Sequence, residues 1–357
     1  MKRFMYLLLA LTILLALTGG QCVPTPIPTP QIIERVVTPT PVPPTPTPKP
    51  PPPKTTLVYG LGTEPVNLDA HRPVGRYNEV FNALIYDSLV TRDREYKLRP
   101  ALATSWESIN PTTWQFKLRK GVKFHNGEEF NSEVVKWNIE ERVLKPEAKS
   151  PHATFLGIID HVDLVDPYTV NIVTKSPDVL LPVKLSDLYG GMIAPKYFRE
   201  VGEVGVATKP VGTGPFKFVE WKKDEYIKLA ANENWWGGPL KIKELTCKII
   251  KDPSARVAAL LKGEVDLIDA VPLAQISVLE ANPEVAVKSA LTTRYFVVVL
   301  ETEKPPLNDK RVRQALNYAV DVEGIVKSVW MGKARRLSTI FIPETFGYDP
   351  TVKPYPY

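Results

Sequence analysis

The chain has 357 residues, and its charge excludes one broad class of function before any motif is considered. Lysine and arginine exceed aspartate and glutamate by 6, but much of that excess lies in the first 54 residues, and the remaining 303 residues carry a net charge near +2. So small a charge argues against a nucleic-acid-binding surface. The 303 residues are enough for two or three lobes with hydrophobic cores.

The first 22 residues predict an export signal. Two basic residues precede an apolar run from Phe4 to Leu17, which is too short for a transmembrane helix. The sequence LTGGQC that follows resembles a bacterial lipobox, so we expect Cys22 to become the lipidated first residue of the mature chain. The alternative is ordinary cleavage near Gly19 or Gly20, because Gln21 stands where a lipobox has a small residue.

Residues 23–54 form a proline-rich segment with 14 prolines and 6 threonines. Such a sequence cannot donate the backbone hydrogen bonds that a helix or sheet requires, and it favours extended polyproline conformation. At ~3.1 Å per residue the segment could reach roughly 100 Å. It is predicted to be a stalk between a lipid anchor and a folded part; the alternative is a disordered linker without a mechanical role. With Cys22 lipidated, Cys247 has no intramolecular disulfide partner.

The folded part is predicted to begin with a strand at 56–62 and a helix at 78–90. The helix is inferred from apolar residues at helical spacing, among them Phe81, Leu84, Ile85 and Leu89. Further along, alternation at 114–119 indicates a half-buried strand, and 160–174 indicates a hairpin. Ser132 is expected to cap a helix, and 177–188 is expected to be helical.

The middle of the chain, Val211 to Ala270, predicts a hairpin followed by a strand, a helix and a strand. Asp252 is placed to cap the helix and Pro253 lies at its first position. A short helix is expected at 271–282. The apolar run at 295–300 is typical of a strand that is buried on both faces. An apolar stripe then predicts a helix that begins near Asp309, and Asp321 is placed to cap another that reaches Trp330.

Several of these motifs, in the same order, resemble one family. They are GTGPFKF at 212–218, NWWGG at 234–238, the stretches 98–106, 114–119 and 121–127, the run from Arg256 to Asp266, and PPLNDKRVRQALNYAVD at 305–321. The family is that of the extracellular solute-binding proteins of family 5, the peptide, dipeptide and nickel-binding receptors of ABC importers. The resemblance covers residues 55–357, and family members continue for a substantial further stretch, so we expect the chain to be truncated at its C-terminus, either as a fragment of a longer protein or as the product of a truncated gene.

The resemblance implies an α/β fold with two lobes joined by crossover strands, as in the type II periplasmic binding proteins, and an extra subdomain inserted in lobe one. The expected divisions are a signal peptide with lipobox at 1–22, the linker at 23–54, lobe one at 55–95 and 205–290, the inserted subdomain at 96–204, and the start of lobe two at 291–357.

The resemblance also implies where a ligand would bind. Family members lay backbone against the ligand in the segment that here is Gly75, Arg76, Tyr77 and Asn78; the alternative is an ordinary surface loop and helix cap. Phe155 is a candidate wall residue, or else part of the core. The crossing between the lobes, where relatives present aromatic residues, corresponds to Arg294, Tyr295 and Phe296.

The function implied is capture of a peptide, or a related small solute, outside the membrane and delivery to the subunits of an ABC permease. We expect a monomer, held at the outer face of the cytoplasmic membrane by its lipid anchor alone, with no cofactor, no metal and no nucleic-acid partner. Specific motifs of hydrolases, zinc proteases, nucleotide-binding and calcium-binding proteins are absent from the sequence, which argues against an enzyme. The alternatives are a nickel-chelate or oligosaccharide binder of the same family, and a surface-displayed structural or adhesive protein on a Pro-Thr stalk.

Overall fold

The computed structural model describes residues 54–72, 75–186, 190–290, 295–343 and 347–357, except for the side chain of Arg76. The predicted export signal, the proline-rich segment up to residue 53, the lipidation of Cys22 and the role of Arg294 lie outside the described residues.

A five-stranded sheet is assembled from strands that are far apart in the sequence. β1 (Thr56–Leu61) lies in its interior and is parallel to both β10 (Glu244–Ile249) and β11 (Leu267–Ile268). The antiparallel hairpin of β8 (Phe216–Lys222) and β9 (Tyr226–Ala231) completes the order β11-β1-β10-β9-β8. The predicted hairpin and strand–helix–strand unit are therefore confirmed, and β1 is inserted between the two strands of that unit.

A second sheet, antiparallel and four-stranded, is formed by residues that separate β1 from β8. Its strands are β4 (Ala103–Asn110), β5 (Thr113–Leu118), β6 (Ile159–Asp166) and β7 (Thr169–Thr174), in the order β4-β5-β7-β6. The predicted hairpin is confirmed, because β6 ends at Asp166 and β7 begins at Thr169. Two short strands that precede β4, β2 (Val90–Arg92) and β3 (Leu98–Pro100), pair with each other.

The helices whose bounds are described lie outside the two sheets. They are α1 (Arg76–Ile85), α2 (Ser132–Trp137), α3 (Ala153–Leu156), α4 (Leu181–Leu185), α5 (Pro195–Thr208), α6 (Pro253–Leu261), α7 (Ile276–Glu280), α8 (Lys310–Tyr318) and α9 (Val322–Ser328), with a π-helix at Asn138–Leu144 and 3-10 turns at Pro146–Ala148 and Leu273–Gln275.

Each sheet carries its own hydrophobic core. Phe116, Val135 and Ile172 belong to the core of the four-stranded sheet, and Phe81 and Ile227 to that of the five-stranded sheet. The two cores meet near residues 192–194, where Met192 and Ala194 pack in the first and Ile193 packs in the second. The buried Asn138 side chain holds this strand-like piece, donating to the Ile193 carbonyl and accepting from the Ile193 N–H, both at 2.9 Å.

Several predicted helix limits were wrong. α1 ends at Ile85 instead of Val90, and Tyr86 is already extended. The cap of α2 is Asn131, whose side chain accepts from the Val134 N–H at 3.2 Å, because Ser132 is already helical. Of the predicted 177–188, the described part, 177–186, is helical only at 181–185. Helix covers 273–280 of the predicted 271–282, and the last helix ends at Ser328, before Trp330.

The prediction of a buried strand at 295–300 was also wrong. Residues 295–300 pair with no strand among the residues the structure describes, and the side chains from Tyr295 to Val299 are exposed. β-Branched and aromatic residues favour strands, but this preference does not form a strand where no neighbouring strand is present to pair with it.

Candidate functional site

The carboxyl end of β1 is the natural place to look for a ligand site, because open α/β sheets bind ligands beyond the carboxyl ends of their parallel strands. β1 runs parallel to both of its neighbours, so the ends of β10, β1 and β11 face the same side. The chain leaves β1 through a loop and enters α1 at Arg76, directly after Gly75. The predicted ligand segment Gly75–Asn78 is thus the first turn of the helix that follows β1.

Two residues meet Gly62 just beyond the end of β1. A Cβ atom added to Gly62 would lie 3.2 Å from the Tyr77 hydroxyl and 2.9 Å from Nη1 of Arg256. The absence of a side chain at this position lets the first turn of α1 and the helix α6 approach the strand end. Tyr77, which the sequence placed at the site, is half-buried there.

Arg256 is a residue of this region that the sequence reasoning did not place at the site. It is buried, and its Nη1 donates to the carbonyls of Ile250 at 2.8 Å and Lys251 at 3.1 Å. Its Nη2 lies 3.5 Å from the Ala270 carbonyl. The guanidinium group therefore holds together the backbone on both sides of α6. The available signal was a charged residue within the predicted apolar stripe of that helix.

Asn78 is engaged by the protein itself. Its side chain is buried, and Nδ2 donates to the Asn67 carbonyl at 2.6 Å. This hydrogen bond fastens the loop that follows β1 to the first turn of α1. A ligand contact from this position would come from the backbone, as the family resemblance implies, rather than from the amide side chain.

The segment that carries Phe155 is connected to the same loop. The Ser150 hydroxyl donates to the His71 carbonyl at 3.0 Å, and the rings of His71 and His152 meet edge to face with centroids 6.5 Å apart. Burial lowers the pKa of His71 well below its usual value, so this ring is neutral. Phe155 lies on α3 and is 55% exposed, so the core alternative for this side chain was wrong.

Tyr295 and Phe296 lie on the exposed extended segment. Phe296 is 85% exposed, and its ring packs against Trp330 with centroids 5.1 Å apart. The structure therefore brings the 150–156 segment to the loop before α1. Phe296, in contrast, contacts Trp330, which follows α9. A ligand role for Tyr295 and Phe296 stays a prediction, as does that for Gly75–Asn78 and Phe155.

The family-like motif GTGPFKF secures the other end of α1. Gly214 N–H donates to the Ile85 carbonyl at 2.9 Å, and a Cβ on Gly212 would lie 2.0 Å from that same oxygen. Only glycine permits this approach. His125, in a turn after β5, supports the motif: Nδ1 accepts from the Gly212 N–H at 3.3 Å and Nε2 donates to the Gly214 carbonyl at 2.9 Å.

The NWWGG motif reinforces the same junction through Asp87. The Asp87 carboxylate accepts from Nε1 of Trp236 at 2.8 Å and from the Thr213 hydroxyl at 3.0 Å. Burial raises the pKa of Asp87, and these hydrogen bonds oppose that rise. The Arg119 guanidinium stacks on the Trp236 ring at 4.2 Å. The motifs that carry the family resemblance thus bind the end of α1 to the two sheets.

Within the described residues, the helices are all too short or too polar to cross a membrane.

The comparison with known proteins identifies the family. The model of the bacterial extracellular solute-binding proteins, family 5 Middle, matches residues 97–357. Glutathione-binding protein GsiB of Pectobacterium atrosepticum is 29% identical over 303 residues, which cover 84% of this chain and 58% of that protein. The chain spans a little over half the length of the curated relatives it matches.

Solved structures agree in fold. The periplasmic binding protein DppA from Helicobacter pylori, in complex with peptide STSA, has a TM-score of 0.73 and 29% identity over 85% of this chain and 63% of that one. NikA from Brucella suis, in complex with Fe(III)-EDTA, has a TM-score of 0.74 and 28% identity over 85% of this chain and 62% of that one. The chain has the α/β fold of the type II periplasmic binding proteins and belongs to the bacterial extracellular solute-binding proteins of family 5.

Proposed function

We propose that the protein is the substrate-binding component of an ABC importer, which captures peptides outside the membrane and delivers them to the permease. The observation that carries the proposal is the family match over residues 97–357, together with the likeness in fold to a peptide-bound structure. Extended peptides suit such a site because main-chain hydrogen bonds supply affinity without requiring particular side chains.

The proposed mechanism is closure of two lobes around the solute. A ligand that contacts both lobes favours the closed state by its difference in affinity for the two states, and the permease recognises closure. No covalent step is involved. In this proposal residues 55–95 and 205–290 form lobe one, 96–204 the inserted subdomain and 291–357 the start of lobe two. The five-stranded sheet draws its strands from the first two of these ranges and the four-stranded sheet from the third.

The test is native mass spectrometry of the full chain purified from a bacterial host. A bound mass that fragments into short peptides is expected. Phe155→Ala is expected to weaken retention of that solute at least tenfold, whereas Leu164→Ala, which removes an exposed apolar side chain from β6, leaves it unchanged. A full chain that is folded and carries no peptide, and binds none from a defined mixture of di- to pentapeptides, would contradict the proposal.

A metal chelate is the second candidate ligand, because the structure of NikA with Fe(III)-EDTA matches the chain as well in fold as the peptide-bound one does. Titration with Fe(III)-EDTA, monitored by tryptophan fluorescence, tests this candidate. Saturable binding by a protein that retains no peptide would favour it.

We further propose that Cys22 is lipidated and holds a monomer at the outer face of the cytoplasmic membrane. The two cysteines of the chain provide a matched pair of variants. Cys22→Ser is expected to shift the protein from the membrane fraction to the soluble envelope fraction and to remove a diacylglyceryl mass, whereas Cys247→Ser does neither. Membrane association that survives Cys22→Ser would contradict the anchor.

A further inference from the structure

A buried ion pair joins the loop after β1 to the π-helix. Nη2 of Arg142 donates to Oδ2 of Asp69 at 2.8 Å, and the two side chains are 3% and 0% exposed. Removing two charges from water costs about as much free energy as their attraction returns, so such a pair is weak evidence of net stabilisation. Burial raises the pKa of Asp69 even though Arg142 lowers it, which agrees with that balance. The pair therefore calls for an explanation in terms of geometry.

The carboxylate of Asp69 organises the loop in which it lies. Oδ1 accepts the backbone N–H of His71 at 2.8 Å, while the Asp69 N–H donates to Oδ1 of Asn67 at 2.9 Å. Because one carboxylate oxygen is bonded to the loop and the other to Arg142, the guanidinium group sets the position of the loop backbone relative to the π-helix.

The guanidinium group of Arg142 is itself held in place. It stacks on the Phe198 ring at 4.2 Å, and its Nη1 lies 3.7 Å from Oε1 of Glu203, both on α5. Glu203 also forms an ion pair with Arg72, at the end of the described loop. The Leu68 N–H donates to the Ala207 carbonyl of the same helix at 2.8 Å. Loop, π-helix and α5 are thus locked around one arginine.

We propose that Asp69 and Arg142 are positioning residues, which hold the loop at 67–72 so that the first turn of α1 is presented to the solute. This inference rests on the proposed function and on the family resemblance, from which a ligand is expected at Gly75–Asn78. The connection to that turn is the bond from Asn78 to the Asn67 carbonyl, so a displacement of the loop moves the start of α1. Neither positioning residue contacts the ligand.

Hydrogen exchange of the ligand-free full chain tests the positioning directly. Arg142→Met alone leaves a buried carboxylate without its cation and risks unfolding, so the double variant Asp69→Asn/Arg142→Met, which removes both charges, is the decisive one. We expect its urea midpoint to stay close to that of the wild type, while exchange in peptides covering 67–72 and the start of α1 accelerates at least tenfold. Exchange in the β8–β9 hairpin should be unchanged.

Lys145→Met is the matched control. Lys145 lies just after the same π-helix and forms an exposed ion pair with Glu141 at 2.6 Å, so its loss removes a charge pair without touching the loop. It is expected to leave exchange at 67–72 unchanged. Wild-type protection of the loop in the double variant, or acceleration spread equally over both sheets, would overturn the proposal.

The consequence for binding is measured with the tetrapeptide Ser-Thr-Ser-Ala by calorimetry. The double variant should bind at least tenfold more weakly than the wild type and than Lys145→Met; equal affinity would overturn the positioning role. If the wild type does not bind this peptide, that result counts against the peptide ligand of the proposed function, whereas the exchange measurement still decides whether Asp69 and Arg142 hold the loop.

Discussion

His125 makes the stability of the protein depend on pH in a way that a single substitution can isolate. Its ring is a neutral tautomer between two backbone groups, accepting from Gly212 at Nδ1 and donating to Gly214 at Nε2. A second proton would place a donor against the Gly212 N–H. Burial lowers the pKa of His125 to about 4, opposed by the bond to Gly214 and assisted by the charge of Lys217.

The sign and size of the effect follow from the difference between the folded and unfolded states. Above pH ~6.5 both states hold a neutral imidazole, and between pH ~6.5 and ~4 only the unfolded state takes up a proton, so stability falls as the pH falls. The full loss is about 3 kcal/mol, and about 2.5 kcal/mol of it is present at pH ~4.5.

The assay is urea unfolding, followed by tryptophan fluorescence, at pH 7.0 and 4.5 for the wild type and His125→Gln. The variant is less stable at pH 7.0 because the Gly212 N–H loses its acceptor, but it lacks the titration. The wild type should therefore lose ~2.5 kcal/mol more than the variant between the two pH values. Other groups titrate equally in both proteins and cancel.

His161→Gln is the control for the removal of a histidine. His161 is exposed, and its hydrogen bond to Asp160 raises its pKa, so its contribution runs in the opposite direction: it is present at low pH and is lost as the pH rises. If the wild type and His125→Gln lost the same free energy between pH 7.0 and 4.5, the reasoning about the His125 site would be refuted.

Three further predictions concern packing and capping. Gly214→Ala should lower the free energy of unfolding by about 2–3 kcal/mol, because its Cβ would lie 2.5 Å from the Ile85 carbonyl carbon; Gly127→Ala, whose Cβ meets nothing within 4 Å but whose φ is +91°, should cost only about 1 kcal/mol. Equal urea midpoints for the two variants would contradict this ranking. The pKa of Cys247 is raised to about 12 by burial, so a maleimide should label it only in denaturant; labelling of the folded protein would show that the thiol is accessible. Asp252→Ala removes the cap on the Ala255 N–H at 2.7 Å and should cost about 1 kcal/mol in urea unfolding, and an unchanged midpoint would mean that water replaces the cap.

Local sequence signals predicted the elements whose cause is local. The three aspartates at predicted helix starts, Asp252, Asp309 and Asp321, all accept a hydrogen bond from a backbone N–H in the first turn of their helices. The hairpins at 159–174 and 216–231 were likewise predictable, because alternation and turn residues act within a few positions. Motif order was sufficient for the family and the α/β fold.

Long-range contacts decided the features that the sequence reasoning missed. α1 stops at Ile85 although its apolar pattern continues, because the carbonyl of Ile85 accepts from Gly214 instead of from the next turn of helix. The apolar run at 295–300 was wrongly predicted to be a strand for a related reason, since a strand requires a neighbouring strand and no local pattern can supply one.

The sequence by itself determined the family, the two β-hairpins and the helix caps at Asp252, Asp309 and Asp321. Only the tertiary structure decided that Asp69 and Arg142, 73 positions apart, form a buried ion pair, that Asn131 and not Ser132 caps α2, and that Gly62 brings Tyr77 and Arg256 together at the end of β1. The physical reason is that local propensities act over a few residues, whereas the free energy of burying a charge depends on which distant group folds against it.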